Sequence, residues 1–274
     1  MEFREASQEQ QSLVAAVVAF ILELLRPYRQ TPLTNDAWLA LLRLAYPRVA
    51  EARYRSAQLA RSFYDSQRER HLGERHDTYL AEYEFDWFVE AMEPVRDAMI
   101  RDDTPDEAVA QAALYAAKEI ENGWRRTLIR AVQSDPSPRR VRWARVATGR
   151  ETCGFCMMLV SRGPVYLSAR SAGLNADDTR AKELFRKADR EHGESAQLAE
   201  EAMDALMTRW HAGCDCRVVP VFDTNNWPGR AAYLRAEALW RKVTKGTTNN
   251  RDAMNAFRRA VESGDLDVSE LAAA

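Results

Sequence analysis

The distribution of the four cysteines constrains this chain more than any other feature of its sequence. They form two close pairs, Cys153-x-x-Cys156 and Cys214-x-Cys216, with His211 three residues before the second pair. Two cysteines separated by two residues can direct both sulfurs at one ion, because a tight turn reverses the chain over that distance. The second pair then completes a tetrahedron. The spacing predicts a structural zinc site of these four cysteines, in which His211 can replace Cys214 or Cys216.

Other interpretations of the cysteines stay open. A disulfide is an alternative if the protein matures in an oxidising environment, and reduced, metal-free cysteines in a core are another. A redox enzyme fits less well, because no βαβ unit surrounds Cys-x-x-Cys and the second pair would be unexplained. A catalytic zinc ion needs an open coordination position and a general base, and no base is evident. We therefore expect a closed structural site and no enzymatic activity.

Composition and charge predict a folded protein made in a cytoplasm. Of the 274 residues, 46% are hydrophobic and 29% are charged, a balance typical of globular domains. No basic segment precedes an apolar one at the N-terminus, and the longest apolar run, Leu13 to Leu22, is about half of a bilayer span. These features predict neither a signal peptide nor membrane association. Because the net charge is only −2, attraction for nucleic acid has to come from a local patch.

Hydrophobic periodicity predicts a mainly α fold in three parts. A helical domain spans 1–135, up to the breaker Ser134-Asp-Pro-Ser-Pro138. A small α+β domain that carries the zinc-knuckle-like cysteine cluster spans 136–224. A helical C-terminal tail spans 225–274.

Several elements have local signals. Ser7-x-x-Gln10 resembles a capping box and predicts the start of the first helix. Pro47 is expected to kink the second helix and Pro94 to interrupt the third, because proline removes an internal hydrogen bond. Two alternating segments, 141–146 and 217–222, predict short strands beside the cysteine pairs. Together these strands predict a hairpin-like core whose ends a metal ion clips together.

The segment 139–190 is locally basic. It has twelve Arg and Lys against five acids, a net of +7. Four of the arginines lie beside Trp143 and are candidates for binding DNA phosphates: Arg139, Arg140, Arg142 and Arg145. A solvated face is the alternative explanation of such a charge run.

No catalytic motif is evident in the sequence. It contains no G-x-S-x-G elbow, no P-loop and no G-x-G-x-x-G. His71 and His76 flank a polar loop and are expected to be exposed to solvent. The serines and histidines near the cysteine cluster do not define a triad: Ser161, Ser168, His192 and His211.

The segments around the cysteines resemble the MuF-like minor head proteins of tailed bacteriophages, in the versions found in phages of actinobacteria. Trp143 and Arg145 are followed by Glu151-Thr-Cys-Gly-Phe-Cys156, Ser161-Arg-Gly-Pro-Val-Tyr166 and His211-Ala-Gly-Cys-Asp-Cys-Arg-Val-Val-Pro-Val221. The resemblance covers about residues 140–223. Gly213 is a departure, because many relatives have another residue before the first cysteine of the second pair.

The resemblance implies a virion protein of the phage head. Members of that family are encoded beside the portal, are present in few copies and assist head assembly, some of them inside the capsid. The implied partners are the portal protein, the major capsid protein or packaged DNA, after synthesis in the host cytoplasm. The amphipathic helices offer surfaces for portal contact or self-association. Two alternatives stay open: a maturation protease or zinc-dependent nuclease, and a nucleic-acid-binding zinc-knuckle protein outside virions.

Overall fold

The protein is mainly helical. The computed structural model describes residues 1–28, 32–76, 80, 82–100, 106–136, 141–148, 152, 154–164 and 216–265. Within these residues lie α1 (Phe3–Leu25), α2 (Asn35–Leu72), α3 (Phe85–Met99), α4 (Asp106–Gln133), β1 (Arg142–Val146), α5 (Gly154–Val160), β2 (Arg217–Val221), α6 (Arg230–Val243) and α7 (Asn250–Glu262). The prediction of a mainly α chain is therefore confirmed.

The chain forms two compact units. The helical unit comprises Met1–Glu69 and Glu74–Ala131, and the mixed unit comprises Arg70–Gly73 and Val132–Ala274. The sequence analysis placed a boundary after residue 135 and treated 225–274 as a separate tail. The structure divides the chain after Ala131, and the C-terminal helices belong to the mixed unit.

Helix α1 begins earlier than the capping-box pattern predicted. Its first residue is Phe3, and Ser7 and Gln10 lie inside the helix, where both are buried. The aromatic ring of Phe3 packs against Phe63 and Trp124, with ring centroids 5.6 and 6.4 Å away, so tertiary packing extends the helix past its local start signal. The prediction from Ser7-x-x-Gln10 was therefore wrong.

Residues Phe3–Tyr28 are long and apolar enough, by length and composition alone, to cross a membrane. Buried helices of globular proteins pass the same test. One stripe of this helix, with Val17, Ile21 and Leu25, contributes to the core of the helical unit.

Two helices run through their internal prolines. Helix α2 begins at Asn35, where the Thr34 hydroxyl accepts from the Ala37 amide at 3.1 Å, and it is continuous through Pro47. Helix α3 is continuous through Pro94, so the predicted interruption was wrong. The buried side chains of Phe88, Met92 and Val95 hold α3 together on either side of the missing hydrogen bond.

The helical unit contains a buried polar cluster between α2 and α4. Arg53 and Glu119 form an ion pair of 2.7 Å, and both side chains are buried. The other oxygen of Glu119 accepts from Asn122 at 2.8 Å, and Tyr83 donates to the carboxylate at 2.9 Å. The Arg53 guanidinium also lies 4.0 Å from the centre of the Tyr83 ring. The cluster therefore ties α2, α4 and the segment before α3 to one another.

Alkaline pH is expected to destabilise the helical unit through Tyr83. Burial, the charge of Glu119 and the hydrogen bond to its carboxylate raise the pKa of the Tyr83 phenol above its usual value. The contribution of the protonated Tyr83 phenol to the stability is fully present below the pKa of tyrosine in the unfolded chain, about 10. It is lost as the pH rises above that value, because the unfolded chain releases the proton first. Above about pH 10, Tyr83→Phe should reduce the slope of the free energy of unfolding against pH by up to about 1.4 kcal/mol per pH unit. Urea denaturation at several pH values measures this slope. Tyr54→Phe, at an exposed position of α2, is the control, and an equal change of slope would contradict the assignment.

Gly123 marks the close approach of α4 to α2. A Cβ atom at this position would lie 2.4 Å from the carbonyl oxygen of Arg53. Gly to Ala normally stabilises a helix interior by about 1 kcal/mol, but overpacking costs about 1–3 kcal/mol. We expect Gly123→Ala to lower the free energy of unfolding, measured by chemical denaturation. A variant more stable than the wild type would mean that the two helices separate freely.

The mixed unit is built on an antiparallel pair of strands. β1 and β2 pair with Arg142 opposite Val221 and Val146 opposite Arg217. Both strands were predicted, and both are confirmed to within one residue. All five residues of β2 and four of the five in β1 are buried, so the sheet is covered on both faces. A two-stranded sheet is marginal alone, and α5 packs against β1 and against both C-terminal helices.

Two glycines in the mixed unit have positive φ at close contacts. Gly163, in the turn after α5, has φ of 60°, and an added Cβ would lie 2.5 Å from the Tyr233 ring. Gly229, before α6, has φ of 86°, and an added Cβ there would lie 2.8 Å from the Val146 side chain of β1. Each glycine allows the chain to turn where a side chain would collide with its neighbour.

Candidate metal centre

The structure brings one cysteine of each predicted pair together in the mixed unit. Cys156 lies in the first turn of α5, and Cys216 immediately precedes β2. Their sulfur atoms are 3.3 Å apart, although 60 residues separate them in the chain. Neither forms a disulfide bond in this structure, and both are buried, at 2% and 0% exposure. The meeting of the two segments follows from the antiparallel pairing of β1 and β2 and the packing of α5 on β1.

The distance between the sulfurs can be compared with the two bonded alternatives. A disulfide bond is about 2.05 Å long, so the pair is reduced in this structure. Two sulfurs on one tetrahedral zinc ion lie roughly 3.8 Å apart, given Zn–S bonds of about 2.3 Å. The observed pair lies about half an ångström inside that separation and could hold a thiophilic ion after a small side-chain adjustment.

The remaining predicted ligands, Cys153, Cys214 and His211, lie outside the described residues. Within the described part of the chain, no group of three or more metal-binding side chains is found. The structure thus provides two adjacent thiols of the predicted set.

One segment of the predicted set has a different conformation from the one expected. The sequence analysis placed Cys153-x-x-Cys156 in a tight turn, whereas Cys156 is already helical, in α5. The five residues from Cys156 to Val160 are all buried, and packing of this apolar run explains why the chain forms a helix there.

Arg145, predicted to contact DNA, instead lies within the cysteine site. Its side chain is 5% exposed, and Nη1 donates a hydrogen bond to the Cys216 sulfur at 2.9 Å. The prediction of an Arg145 phosphate contact is therefore corrected, because both faces of the sheet are covered and this side chain lies inside the unit. Arg142, at the start of the same strand, is exposed, and its DNA contact stays a prediction, while Arg139 and Arg140 lie outside the described residues.

A second basic surface was missed by the sequence analysis. Residues 230–265 contain eight Arg and Lys against four acids, a net of +4. Seven of the eight cationic side chains are exposed, on α6, on α7 and between them: Arg235, Arg241, Lys242, Lys245, Arg251, Arg258 and Arg259. The signal of this surface in the sequence is the spacing of its cations by three or seven residues, as from Lys242 to Lys245 and from Arg251 to Arg258.

The other histidine and serine candidates are engaged locally. The imidazole ring of His71 stacks on the Phe222 ring at 5.5 Å with an angle of 9°, and His76 packs edge-on against Tyr64. Both histidines are half-buried, so the expected full exposure was wrong. The Ser161 hydroxyl donates to the Met158 carbonyl at 2.7 Å, as helix-terminal serines commonly do. His192 and Ser168 lie outside the described residues.

The fold and the cysteine site together define a class: a mainly helical protein with a small α+β unit that carries adjacent buried thiols. The chain belongs to the VG15 protein family, whose match covers residues 1–243. It is 38% identical over 277 residues to the Gene 15 protein of Mycobacterium phage D29, covering 96% of this chain and 99% of that protein. It is also 37% identical over 297 residues to the Gene 15 protein of Mycobacterium phage L5, covering all of both chains. No solved structure matches.

These similarities confirm the sequence-based prediction at a coarse level. The chain is a bacteriophage protein of the type found in phages of actinobacteria. The names of the relatives state no activity, partner or place in the particle.

Proposed function

We propose that this chain is a structural, non-enzymatic minor protein of a phage head. It docks to the portal protein, the major capsid protein or packaged DNA during head assembly, at the capsid interior or portal vertex. Two arguments support the proposal. Family membership makes the chain a phage protein, and the resemblance of its cysteine segments to MuF-like proteins suggests a role in the head. The observation that carries it is the adjacency of Cys156 and Cys216, because both segments of that resemblance then form one site.

A structural zinc ion is part of the proposal. Cys156 and Cys216, with Cys153 and Cys214, would hold it, and His211 is the alternative fourth ligand. When bound, the ion would link the start of α5 to the start of β2. Its binding free energy becomes folding free energy, which suits a unit whose described residues form a sheet of two strands. Burial of both described thiols favours a closed site over an open, catalytic one.

The helical unit would supply the docking surface. Large apolar side chains stand exposed on its helices, including Leu44 at 65% and Tyr54 at 52% on α2. Such side chains suit contact with a portal or capsid subunit, or with a second copy of this chain. The buried Arg53–Glu119 cluster would keep these helices in fixed register while they bind.

The experiment that tests the proposed function uses the phage that encodes this chain. Mass spectrometry of purified particles should detect the protein at a small fraction of the major capsid protein. A nonsense mutation in the gene should give defective heads while capsid protein processing continues. Absence of the protein from both proheads and finished particles would overturn the proposal. Loss of capsid protein cleavage in the nonsense mutant would favour the maturation protease instead.

Non-specific DNA contact is expected to depend on two basic groups. The first is Arg139, Arg140 and Arg142, and the second is the exposed cations on and between α6 and α7, such as Lys242 and Lys245. Each phosphate contact contributes about 0.9 to the slope of log affinity against log salt concentration. Changing Lys242 and Lys245 to Gln should therefore reduce the slope by roughly one to two, measured by fluorescence anisotropy with duplex DNA.

The control for this prediction changes the same charge elsewhere. Arg26→Gln and Arg55→Gln alter exposed arginines of the helical unit, each of which forms a surface ion pair. These variants should leave the slope unchanged. An equal decrease in both sets of variants would indicate attraction to net charge rather than to the basic groups of the mixed unit.

A further inference from the structure

The contact between Arg145 and Cys216 follows from the strand register. Arg145 of β1 lies opposite Val218 of β2, and Cys216 is two residues before Val218. A diagonal neighbour of this kind is within reach of a long side chain. The Nη1 atom of Arg145 accordingly reaches the Cys216 sulfur at 2.9 Å.

The burial of this guanidinium calls for a functional explanation. A buried cation is costly unless hydrogen bonds and negative charge offset its lost hydration. One of the groups that hold Arg145 is the Cys216 sulfur, and Cys156 lies 3.3 Å beyond it. Cysteine binds a metal ion as the thiolate, so a set of ligating cysteines concentrates negative charge at one point. A buried guanidinium beside these sulfurs is therefore electrostatically matched to a metal-binding thiolate set.

We propose that Arg145 is a positioning residue of the metal site, which orients the Cys216 sulfur and offsets the charge of the thiolate ligands. The inference rests on the proposed zinc site. Side chains that donate to metal ligands fix their orientation, and removing them typically lowers metal affinity about 10- to 100-fold. Arg145 itself does not bind the ion. The role replaces the DNA contact that the sequence suggested, because a side chain 5% exposed does not present its charge to a phosphate.

The test compares substitutions of Arg145 with one of Arg142 on the same strand. Arg145→Met and Arg145→Gln remove the charge, Arg145→Lys keeps a charged donor, and Arg142→Met is the exposed control. Zinc content is measured by elemental analysis and zinc affinity by competition with a chromophoric chelator, in the full-length protein. The position of the thiolate-to-metal absorption band is recorded after substitution with cobalt(II).

The expected result is one zinc ion per chain in every folded variant, with affinity about 10- to 100-fold lower in Arg145→Met and Arg145→Gln. Arg145→Lys should recover part of the loss, and Arg142→Met should match the wild type. The cobalt band should shift in the Arg145 variants alone, since a purely structural role would leave the sulfur's electronic environment unchanged. If Arg145→Met does not fold, Arg145→Gln decides the question.

Two outcomes would overturn the inference, and they are distinguishable. Wild-type affinity and an unshifted cobalt band in Arg145→Gln would remove the role of Arg145 while leaving the zinc site intact. A wild-type protein that binds neither zinc nor cobalt would remove both the metal site and the role of Arg145.

Discussion

Cys216→Ser and Cys156→Ser should each abolish stoichiometric zinc binding and unfold the mixed unit. Both sulfurs belong to the proposed ligand set, and they are the two that the structure places 3.3 Å apart. Structural zinc contributes about 10–16 kcal/mol of apparent binding free energy in zinc-finger peptides, which exceeds the total stability of most small domains. Losing one of four ligands should therefore remove most of the stabilisation of a unit whose sheet, in the part of the chain that the structure describes, is a single strand pair.

Elemental analysis and circular dichroism measure the two consequences. Zinc should fall from one per chain to well below one in each cysteine variant. The far-UV signal should fall only in part, because the helical unit has its own core. Ser161→Ala is the matched control, since this buried serine lies directly after α5 and its hydroxyl donates to the backbone carbonyl of Met158. It should keep its zinc.

The outcome that contradicts this prediction is also definite. A metal-free wild-type protein whose cysteines resist alkylation until reduced would indicate disulfides, the alternative that the spacing left open. The separation of 3.3 Å allows two thiols to approach bonding distance by side-chain rotation. The same alkylation experiment therefore separates zinc, which a chelator removes, from a disulfide, which only a reductant opens.

Glu119→Ala should destabilise the helical unit by about 3–5 kcal/mol, because it removes one partner of a buried ion pair, the carboxylate 2.7 Å from the Arg53 guanidinium. The carboxylate also accepts from Asn122 and Tyr83, and each of these groups would lose a partner in a buried setting. Chemical denaturation followed by tryptophan fluorescence measures the change, since Trp38 and Trp124 are buried in this unit. Hydrogen exchange should locate the increased opening in α2 and α4.

The control for Glu119 lies on α2. Glu51 pairs with Arg55 at 3.8 Å, but both side chains are more than 60% exposed. Exposed pairs contribute about 0–1 kcal/mol, so Glu51→Ala should change the stability little. Replacing both Arg53 by Met and Glu119 by Leu should recover part of the loss, because no unpaired charge remains. Equal effects of Glu51→Ala and Glu119→Ala would show that burial does not control the strength of the Arg53 pair.

The experiments on the two units are independent. Each unit has its own buried residues, so a single unfolding transition is not assumed, and each measurement is assigned to a local probe. Hydrogen exchange in α2 and α4 reports on the helical unit, whereas zinc content and thiol reactivity report on the mixed unit. Tryptophan fluorescence reports on both, because Trp143 and Trp227 are buried in the mixed unit.

Much of the secondary structure could be predicted from the sequence because its signals are local. Alternation of side chains located β1 and β2, and periodic apolar residues located α6 and α7. The failures occurred where tertiary contacts override a local preference. Packing of Phe3 on Phe63 and Trp124 extended α1 past Ser7, and burial of Phe88 and Val95 kept α3 intact through Pro94.

The sequence by itself determined the mainly helical architecture, the strand pair beside the cysteines and the grouping of thiols into one region. Only the tertiary structure decided which charged side chains are buried. Arg142 and Arg145 look alike in the sequence, yet one is exposed and the other touches Cys216. Arg53 and Glu119 are 66 residues apart, so no local pattern could pair them. The physical reason is that alternation defines two faces of a strand or helix, whereas the covering elements decide which face becomes the interior.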